Sequence, residues 1–292
     1  MKLFFIWFAS VYTLFAFDVK IINENVANGQ SAFIEITKEK GIEFENIILK
    51  NKKYQIFKNP FDARKLYAII PINYYTHAHT QMLKLLYRKN SKQCVDAFHL
   101  EIKDGAYKKE KILVDPKKVN PKSKEVLKRT RTEYNEAMKI YNRVSSENYI
   151  KESFILPMHS KITSEFGKAR VYNDSLQGYH SGTDFRAAIG TPIACSNEGK
   201  VVLVKKRFYS GGTVVVDHGR GIYTCYFHMS KFFVKKNQHV KRGEILGLSG
   251  ESGRVTGPHL HFAARVNGVQ VDPLQLITLL NKNFVPTIKE KK

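Results

Sequence analysis

Cysteine is scarce in this chain of 292 residues, which contains only Cys94, Cys195 and Cys225. So small and odd a number excludes the disulfide framework that stabilises many small exported proteins. Cys195 and Cys225 lie in apolar runs that are typical of strands. We therefore predict three buried thiols, and a bridge between Cys195 and Cys225 stays open as the alternative.

Acidic residues are also few, with 26 Asp and Glu against 48 Lys and Arg and a formal net charge of +22. This imbalance indicates attraction to an anionic partner. The basic residues are scattered through every segment, and no nucleic-acid-binding motif can be placed. The composition therefore favours an anionic cell-wall polymer or a membrane surface over nucleic acid.

Long apolar runs are missing except at the start, where residues 3–16 follow the single basic residue Lys2. This run is too short for a comfortable transmembrane helix and ends at a small residue, Ala16. We predict that residues 1–16 are a cleaved signal for export to the periplasm or cell envelope. An uncleaved anchor or a buried strand is the alternative, because Leu14 stands where a signal peptide usually has a small residue.

The sequence also lacks a His-Glu-x-x-His helix, so the glutamate base of that metalloprotease class is missing. Three other pieces carry residue types that a zinc hydrolase needs: His180-Ser-Gly-Thr-Asp184, Tyr226-Phe-His228 and His259-Leu-His261. In a strand, the two histidines of the last piece would project from one face about 7 Å apart. Catalytic zinc takes three protein ligands and keeps a fourth position open. His180, Asp184 and one histidine of the pair complete such a set, which leaves the other and His228 as bases.

These pieces resemble the LytM or lysostaphin-type peptidoglycan endopeptidases of peptidase family M23. The resemblance covers about residues 154–280, with the three pieces in the family's order and Asp272-Pro273 closing the domain. It implies one zinc ion per chain. Its implied site residues are the metal ligands His180, Asp184 and His261 and the catalytic histidines His228 and His259.

The resemblance further implies a peptidoglycan hydrolase that cleaves peptide cross-links or stem peptides. A D,D-endopeptidase is the first choice, and D,D-carboxypeptidase activity is a possible addition. Some family members have lost ligands, so a non-catalytic peptidoglycan-binding or hydrolase-activating module is the alternative. A third interpretation is a basic wall-binding protein with a vestigial peptidase fold. Zinc content and new peptide ends would distinguish these functions.

The predicted fold class is mainly β, with an antiparallel LytM-like peptidase domain at residues 154–280. Runs rich in β-branched and aromatic residues at 200–204, 213–217 and 221–228 are separated by glycine turns at 211–212 and 218–221. The near absence of helical periodicity in this region favours an antiparallel sheet. Residues 281–292 would form a basic tail.

Residues 18–119 predict a small β-rich domain with strands at 32–37, 45–49, 65–71 and 98–103. Asp104-Gly105 would then form a hairpin turn. The stretch 107–119 weakly resembles the end of the β-domain that precedes some M23 peptidase domains.

The N-terminal domain has no recognisable catalytic motif, so we consider that it restricts access to the zinc. Glu43, Glu45 and Asp62 are candidate plugs for the open coordination position. The alternative is that the domain only docks the enzyme to the wall or to partners through its positive charge.

A helical connector is predicted over residues 120–150, with a helix from 121 to 148. Asn120 suits the N-cap and Pro121 the first helical position. Its apolar face should rest on protein and contains Leu127, Tyr134, Met138, Tyr141 and Val144.

The remaining histidines are given no catalytic role. His77 and His79 imitate the His259 and His261 pair but lack an accompanying carboxylate, so structural or surface positions are favoured. His218 is predicted to be a structural hydrogen-bonding residue in a turn. His239, among basic residues, is predicted to be solvated, and His159 has no role.

Overall fold

The computed structural model describes residues 17–112, 123–172 and 175–284. The predicted export signal and residues 285–292 of the predicted tail lie outside these ranges. No helix within them is long and apolar enough to cross a membrane. The chain is mainly β, which confirms the predicted fold class.

Twenty-three strands and two helices make up the described structure. The strands are β1 (Val19–Ile21), β2 (Val26–Ala27), β3 (Ser31–Thr37), β4 (Ile42–Leu49), β5 (Lys52–Gln55), β6 (Phe57–Lys58), β7 (Lys65–Pro71), β8 (His79–Lys89), β9 (Lys92–Lys103), β10 (Lys109–Ile112), β11 (Ile162–Ser164), β12 (Ala169–Tyr172), β13 (Ser175–Tyr179), β14 (Thr183–Arg186), β15 (Pro192–Ala194), β16 (Gly199–Arg207), β17 (Gly211–Asp217), β18 (Ile222–Met229), β19 (Lys231–Phe232), β20 (His239–Val240), β21 (Ile245–Leu248), β22 (His259–Val266) and β23 (Val269–Val271). The helices are α1 (Lys124–Tyr141) and α2 (Pro273–Asn283).

The N-terminal domain consists of two sheets. One has the strand order β1-β3-β7-β6 and the other β2-β9-β8-β4-β5. Both contribute to one apolar core, in which Ile34 and Ile70 of the first sheet meet Leu83 and Leu85 of the second. Each predicted strand in this part of the chain overlaps an observed one.

The predicted hairpin at Asp104-Gly105 is wrong. After β9 the chain leaves the N-terminal domain, and β10 instead pairs in parallel with β12 of the following domain. The long hairpin is β8–β9, which turns at Asn90 and Ser91 with φ of 50° and 64°. Two residues with positive φ suit the twist of a tight hairpin, and asparagine tolerates this conformation better than most residues.

The C-terminal domain is organised on one large antiparallel sheet. Its strand order is β11-β14-β22-β18-β17-β16-β20, with β23 pairing to β22. The observed β17 begins at Gly211, so the predicted turn at 211–212 is wrong and the chain reverses just before it. One face of this sheet packs on the main core, where Tyr226 and Phe262 are fully buried.

The connector helix is shorter than predicted. Its N-cap is Ser123, whose Oγ accepts a hydrogen bond from Val126 N, while Asn120 and Pro121 lie outside the described ranges. Its end at Tyr141 corrects the predicted end at 148. The prediction that its apolar face rests on protein holds for Tyr141, but Leu127 and Tyr134 are 50% and 61% exposed.

The two domains share part of a hydrophobic core. Phe33 and Tyr67 of the N-terminal domain contact Phe284, which follows α2, with ring centroids 5.7 and 4.8 Å apart. Gln275 exchanges two hydrogen bonds of 3.0 Å with the backbone of Ser31. The N-terminal domain is therefore packed against the C-terminal domain over a substantial apolar interface.

All three cysteines are free thiols, so no bridge joins Cys195 to Cys225. Burial raises the pKa of Cys195 to about 12 and that of Cys225 to about 11, so both are inert thiols at neutral pH. Cys94 is only partly buried, which corrects the prediction of three buried thiols.

Candidate metal centre

Two neighbouring strands carry three of the predicted site residues on one face. In the antiparallel pair β14–β22, Asp184 lies opposite His261 and Arg186 lies opposite His259. Side chains directly opposite in such a pair project to one face with their Cβ atoms about 4.5–5.5 Å apart. His261 Nδ1 consequently lies 2.7 Å from Asp184 Oδ1.

His180 reaches the same point from the loop before β14. Its carbonyl accepts from Gly167 N and its amide donates to Lys168 O, both at 2.8 Å. Its Nδ1 donates to the carbonyl of Glu165 at 2.8 Å, which leaves a lone pair on Nε2. That Nε2 lies 2.9 Å from both Asp184 Oδ1 and His261 Nδ1.

Three potential ligand atoms therefore face one point, and the residues that carry them are all buried. His180 Nε2 and Asp184 Oδ1 are both acceptors in this tautomer, so their approach is favourable only with a proton or a metal cation between them. A tetrahedral ion with bonds of about 2.0–2.1 Å separates its ligand atoms by about 3.3 Å, so a shift of about half an ångström would admit zinc. The three residues fit such an ion.

Arg170 orients the carboxylate of Asp184. Its Nη2 donates to Oδ2 at 3.3 Å, which leaves Oδ1 facing the two histidines. Burial by itself raises the pKa of Asp184, but the contacts with His180 and His261 outweigh burial and hold this pKa well below its usual range. Asp184 is therefore ionised at neutral pH. The sequence analysis missed Arg170 because no periodicity relates it to the metal-binding motifs.

A bulge in β18 turns His228 towards this cluster. Phe227 stacks on His261 with ring centroids 5.4 Å apart, so simple alternation would point His228 to the opposite face. The register of β17 and β18 shifts between Gly212 and Val214, and His228 has a φ of 61°. Such bulges re-aim side chains. The ring of His228 accordingly lies 4.8 Å from that of His259.

Both of these histidines have one ring nitrogen tied to the backbone. His228 Nδ1 donates to Ser252 O at 2.7 Å, and His259 Nδ1 donates to Gly257 O at 2.9 Å. His259 Nε2 lies 3.7 Å from Asp184 Oδ1. Burial, followed by the neighbouring histidines, lowers the pKa of His228 to about 3. His228 is therefore neutral at neutral pH, with a lone pair on Nε2 that can accept a hydrogen bond.

Aromatic side chains of the N-terminal domain pack on the loop that carries His180. Tyr74 stacks on Tyr179, the residue before His180, with ring centroids 3.8 Å apart and planes at 6°. Tyr74 Oη donates to the carbonyl of Gly167 at 2.9 Å. A Cβ on Gly167 would lie 2.1 Å from the ring of Tyr107, so only glycine permits this approach. The sequence analysis missed this support because it joins residues 93 positions apart.

Two of the three acidic residues proposed as plugs form ion pairs elsewhere. Glu45 pairs with Arg88 at 2.7 Å, Asp62 pairs with Arg64 at 3.1 Å, and Glu43 is exposed. Within the described ranges, the group able to hold a metal consists of His180, Asp184 and His261 alone. The structure gives the three plugs no support.

The other histidines follow their predictions. His218 is fully buried, donates from Nδ1 to Glu198 O and accepts at Nε2 from Thr224 Oγ1, both at 2.8 Å. Its structural role is therefore confirmed. His77, His79, His159 and His239 are exposed.

Comparisons with known proteins point to one family. The sequence profile of peptidase family M23 matches residues 178–273. The peptidoglycan DD-endopeptidase ShyA of Vibrio cholerae serotype O1 is 44% identical over 122 residues, or 41% of this chain and 28% of ShyA. The DD-carboxypeptidase/endopeptidase Mpg of Neisseria meningitidis serogroup B is 34% identical over 119 residues, or 41% of this chain and 27% of Mpg. This chain therefore spans little more than a quarter of the length of these relatives.

A similar solved structure extends over both domains. The crystal structure of a peptidase M23 from Pseudomonas aeruginosa is 29% identical with a TM-score of 0.65, and covers 86% of this chain and 94% of its own. The coverage of this match exceeds the C-terminal domain alone, so the architecture of the N-terminal domain is shared as well. Residues 178–273 thus form a peptidase domain of family M23, as the resemblance of the motifs predicted.

Proposed function

We propose that the protein is a zinc-dependent peptidoglycan hydrolase that cleaves peptide cross-links as a D,D-endopeptidase, with D,D-carboxypeptidase activity as a possible addition. The observation that carries the proposal is the convergence of His180, Asp184 and His261 on one point, beside two further histidines. The printed names of ShyA and Mpg support the substrate class.

In this proposal, His180, Asp184 and His261 hold one zinc ion per chain. When bound, zinc lowers the pKa of a water molecule towards neutrality and polarises a carbonyl group. Nε2 of His228 or His259 would accept a proton from the attacking water, and the protonated Nε2 would then donate a hydrogen bond to the developing oxyanion. Their backbone partners, Ser252 and Gly257, fix the ring orientations, so Nε2 of each is the atom available for chemistry.

The setting of this activity is proposed from the sequence. Residues 1–16 would direct export to the periplasm or cell envelope, and the charge of +22 would favour association with anionic wall or membrane surfaces. Peptidoglycan is the proposed partner and nucleic acid is not.

Mass spectrometry of muropeptides tests the proposal. The purified zinc-loaded protein should convert cross-linked dimers into monomers, and prior removal of zinc by a chelator should abolish the conversion. Dimers left intact by a fully zinc-loaded protein would favour the non-catalytic module instead.

Two substitutions separate metal binding from catalysis. Asp184→Ala should lose most bound zinc in elemental analysis, because a buried anionic ligand is removed. His228→Ala should keep one zinc per chain and a native circular dichroism spectrum but lose about 10²–10⁴-fold in hydrolysis. Full zinc retention by Asp184→Ala would show that Asp184 is not a metal ligand. Near-normal turnover by His228→Ala would show that His228 has no catalytic role.

A further inference from the structure

The connector helix α1 lies on the same face of the large sheet as the metal centre. Along β22, side chains on this face alternate from His259 and His261 to Ala263 and Arg265. Ala137 and Tyr141 of α1 pack against Ala263 and its neighbours there. The helix covers one end of the face, and the metal-binding residues occupy the other.

A groove of about 650 Å³ is lined by α1 on one side and by this face on the other, and will be called the connector groove. Its volume lies within the range of about 300–1,000 Å³ that is usual for ligand sites. Phe227, which stacks on His261, and Ser181, which follows His180, both line it. The connector groove therefore lies next to the metal centre, with Phe227 and Ser181 at the boundary between them.

The helix side of the connector groove carries exposed apolar groups. Leu127 and Tyr134 line it and are 50% and 61% exposed, although their spacing suits a buried helix face. Apolar side chains that line a cleft supply most of the contact surface of ligand sites, so these two residues are available to a bound molecule.

The charge in the connector groove is positive. Among the residues that the structure describes, Arg131, Arg207 and Arg265 line it, against one carboxylate, that of Glu133. Glu133 is buried and already accepts from Arg129 Nε at 2.8 Å and from Phe208 N at 2.9 Å. Arg265 is held in place by a 2.8 Å bond to Gly268 O and lies over the ring of Tyr141. Fixed guanidinium groups favour carboxylates, which they bind through paired hydrogen bonds.

We propose that the connector groove binds a peptide stem of peptidoglycan through its free carboxylates, beside the scissile bond at the metal centre. This inference rests on the proposed function and names the part of the substrate that α1 recognises. A peptide stem has several free carboxylates that guanidinium groups can bind, whereas the glycan strand offers amide and hydroxyl groups. The arginines therefore favour the stem as the occupant. The exposed stripe of Leu127 and Tyr134 would contact the aliphatic parts of the stem.

Calorimetric titration with a soluble stem tetrapeptide tests the proposal without requiring hydrolysis. The ligands are the tetrapeptide L-Ala–D-Glu–diaminopimelate–D-Ala and the same peptide with its carboxylates amidated. The full-length zinc-loaded protein is compared with Arg131→Ala and with Lys128→Ala, an exposed basic residue of α1 that does not line the groove. We expect Arg131→Ala to weaken binding of the free-carboxylate peptide about tenfold, because it removes a charge-assisted hydrogen bond. Lys128→Ala should match the unmodified protein, and the amidated peptide should bind weakly to all three.

Equal affinities of the Arg131 and Lys128 variants would overturn the proposal. So would equal binding of both peptides, no measurable binding to the unmodified protein, or preferential binding of a peptide-free glycan oligomer. A kinetic measurement adds a second readout, since Tyr134→Ala should raise KM for cross-linked dimers and leave kcat unchanged. Because the titration measures binding alone, stem binding without any dimer cleavage would refute the proposed hydrolase and leave the connector groove standing.

Discussion

At the scale of single residues, the metal centre depends on close approaches that only certain side chains permit. Gly182 lies beside His261 in the loop before β14. A Cβ at this position would lie 2.6 Å from His261 Nε2 and 2.5 Å from the carbonyl oxygen of Phe262. The second contact is with backbone, which cannot move aside as a flexible side chain can. Only glycine therefore fits at position 182, because any Cβ there would displace the ring of His261.

Gly182→Ala should displace the His261 ring and weaken zinc binding by about tenfold or more, with about 1–3 kcal/mol lost from the free energy of unfolding. Competition with a chromogenic chelator measures the zinc affinity. Gly257→Ala is the matched control, because a Cβ there meets nothing within 4 Å. Equal zinc affinities in the two variants would show that the packing around Gly182 does not position His261.

His218 makes stability depend on pH. Burial lowers its pKa to about 4 from the ordinary histidine value of 6.5, so between these pH values the unfolded chain binds a proton that the folded chain excludes. The contribution of His218 to stability is complete above about pH 6.5 and falls as the pH drops towards 4, at up to about 1.4 kcal/mol per pH unit.

Urea unfolding of the zinc-free protein across that pH range gives the change of the free energy of unfolding with pH. This slope should be smaller in His218→Gln, by the equivalent of about one bound proton. The comparison concerns slopes, so a general loss of stability in the variant does not obscure it. Asp217, whose pKa is raised by burial, titrates in both proteins. Identical slopes would contradict the neutral buried state of His218.

At the scale of elements, the centre is assembled by the register of β14, β22 and β18 and by one loop held from outside. The strands bring Asp184, His261 and Phe227 together as direct neighbours. The loop that carries His180 is irregular. Its support from the N-terminal domain comes from Tyr74, which stacks on Tyr179, and from Tyr107, which packs against Gly167. We infer that Tyr74 is a positioning residue for His180.

Tyr74→Ala should lower zinc affinity several-fold, because it removes both the stack on Tyr179 and the hydrogen bond to Gly167 O. Tyr74→Phe keeps the stack but loses the hydrogen bond, so its zinc affinity should lie between those of the unmodified protein and Tyr74→Ala. Tyr75→Ala is the control, since Tyr75 is 65% exposed and meets Tyr179 only edge-on. Chelator competition measures the zinc affinity, and a separate thermal unfolding experiment measures the stability. Unchanged affinity in Tyr74→Ala, with or without lower stability, would reduce the tyrosine contact to a purely structural one.

At the scale of the whole molecule, the N-terminal domain shares a hydrophobic core with the domain that holds the metal centre. Phe33 is fully buried against Tyr67 and Phe284, in a core that continues below the large sheet. A fragment beginning near Lys151 would expose this surface. A change in the hydrolysis rate of such a fragment would therefore show whether the N-terminal domain restricts access to the zinc only if the fragment is folded and zinc-loaded.

Phe33→Ala should cost about 3–5 kcal/mol in the free energy of unfolding, as large buried aromatic truncations do. Hydrogen exchange read by mass spectrometry should show β3 and β22 losing protection together. Ile34→Ala, on the same strand but facing the inner core of the N-terminal domain, should affect β22 less. Protection of β22 that is unaffected by Phe33→Ala would mean that the domains unfold independently.

The sequence by itself determined those features that depend on local periodicity. The alternation of His259 and His261, the β-branched runs of β16 to β18 and the apolar strands of β3 and β7 all follow from side-chain spacing of two. His77 and His79 have the same spacing, and it was the lack of an accompanying carboxylate that set them apart from the candidate ligands.

Only the tertiary structure decided the features that long-range contacts control. His228 faces the cluster because a bulge against β17 overrides the alternation of β18. Arg170 reaches the site from β12 of another sheet, and Tyr74 reaches it from a turn of the N-terminal domain. The end of α1 at Tyr141 and the path of β10 to β12 are likewise set by packing between distant segments. Alternation is a property of neighbouring residues, whereas bulges, loop contacts and helix ends depend on which segments meet in space, and for this reason the tertiary structure alone specified them.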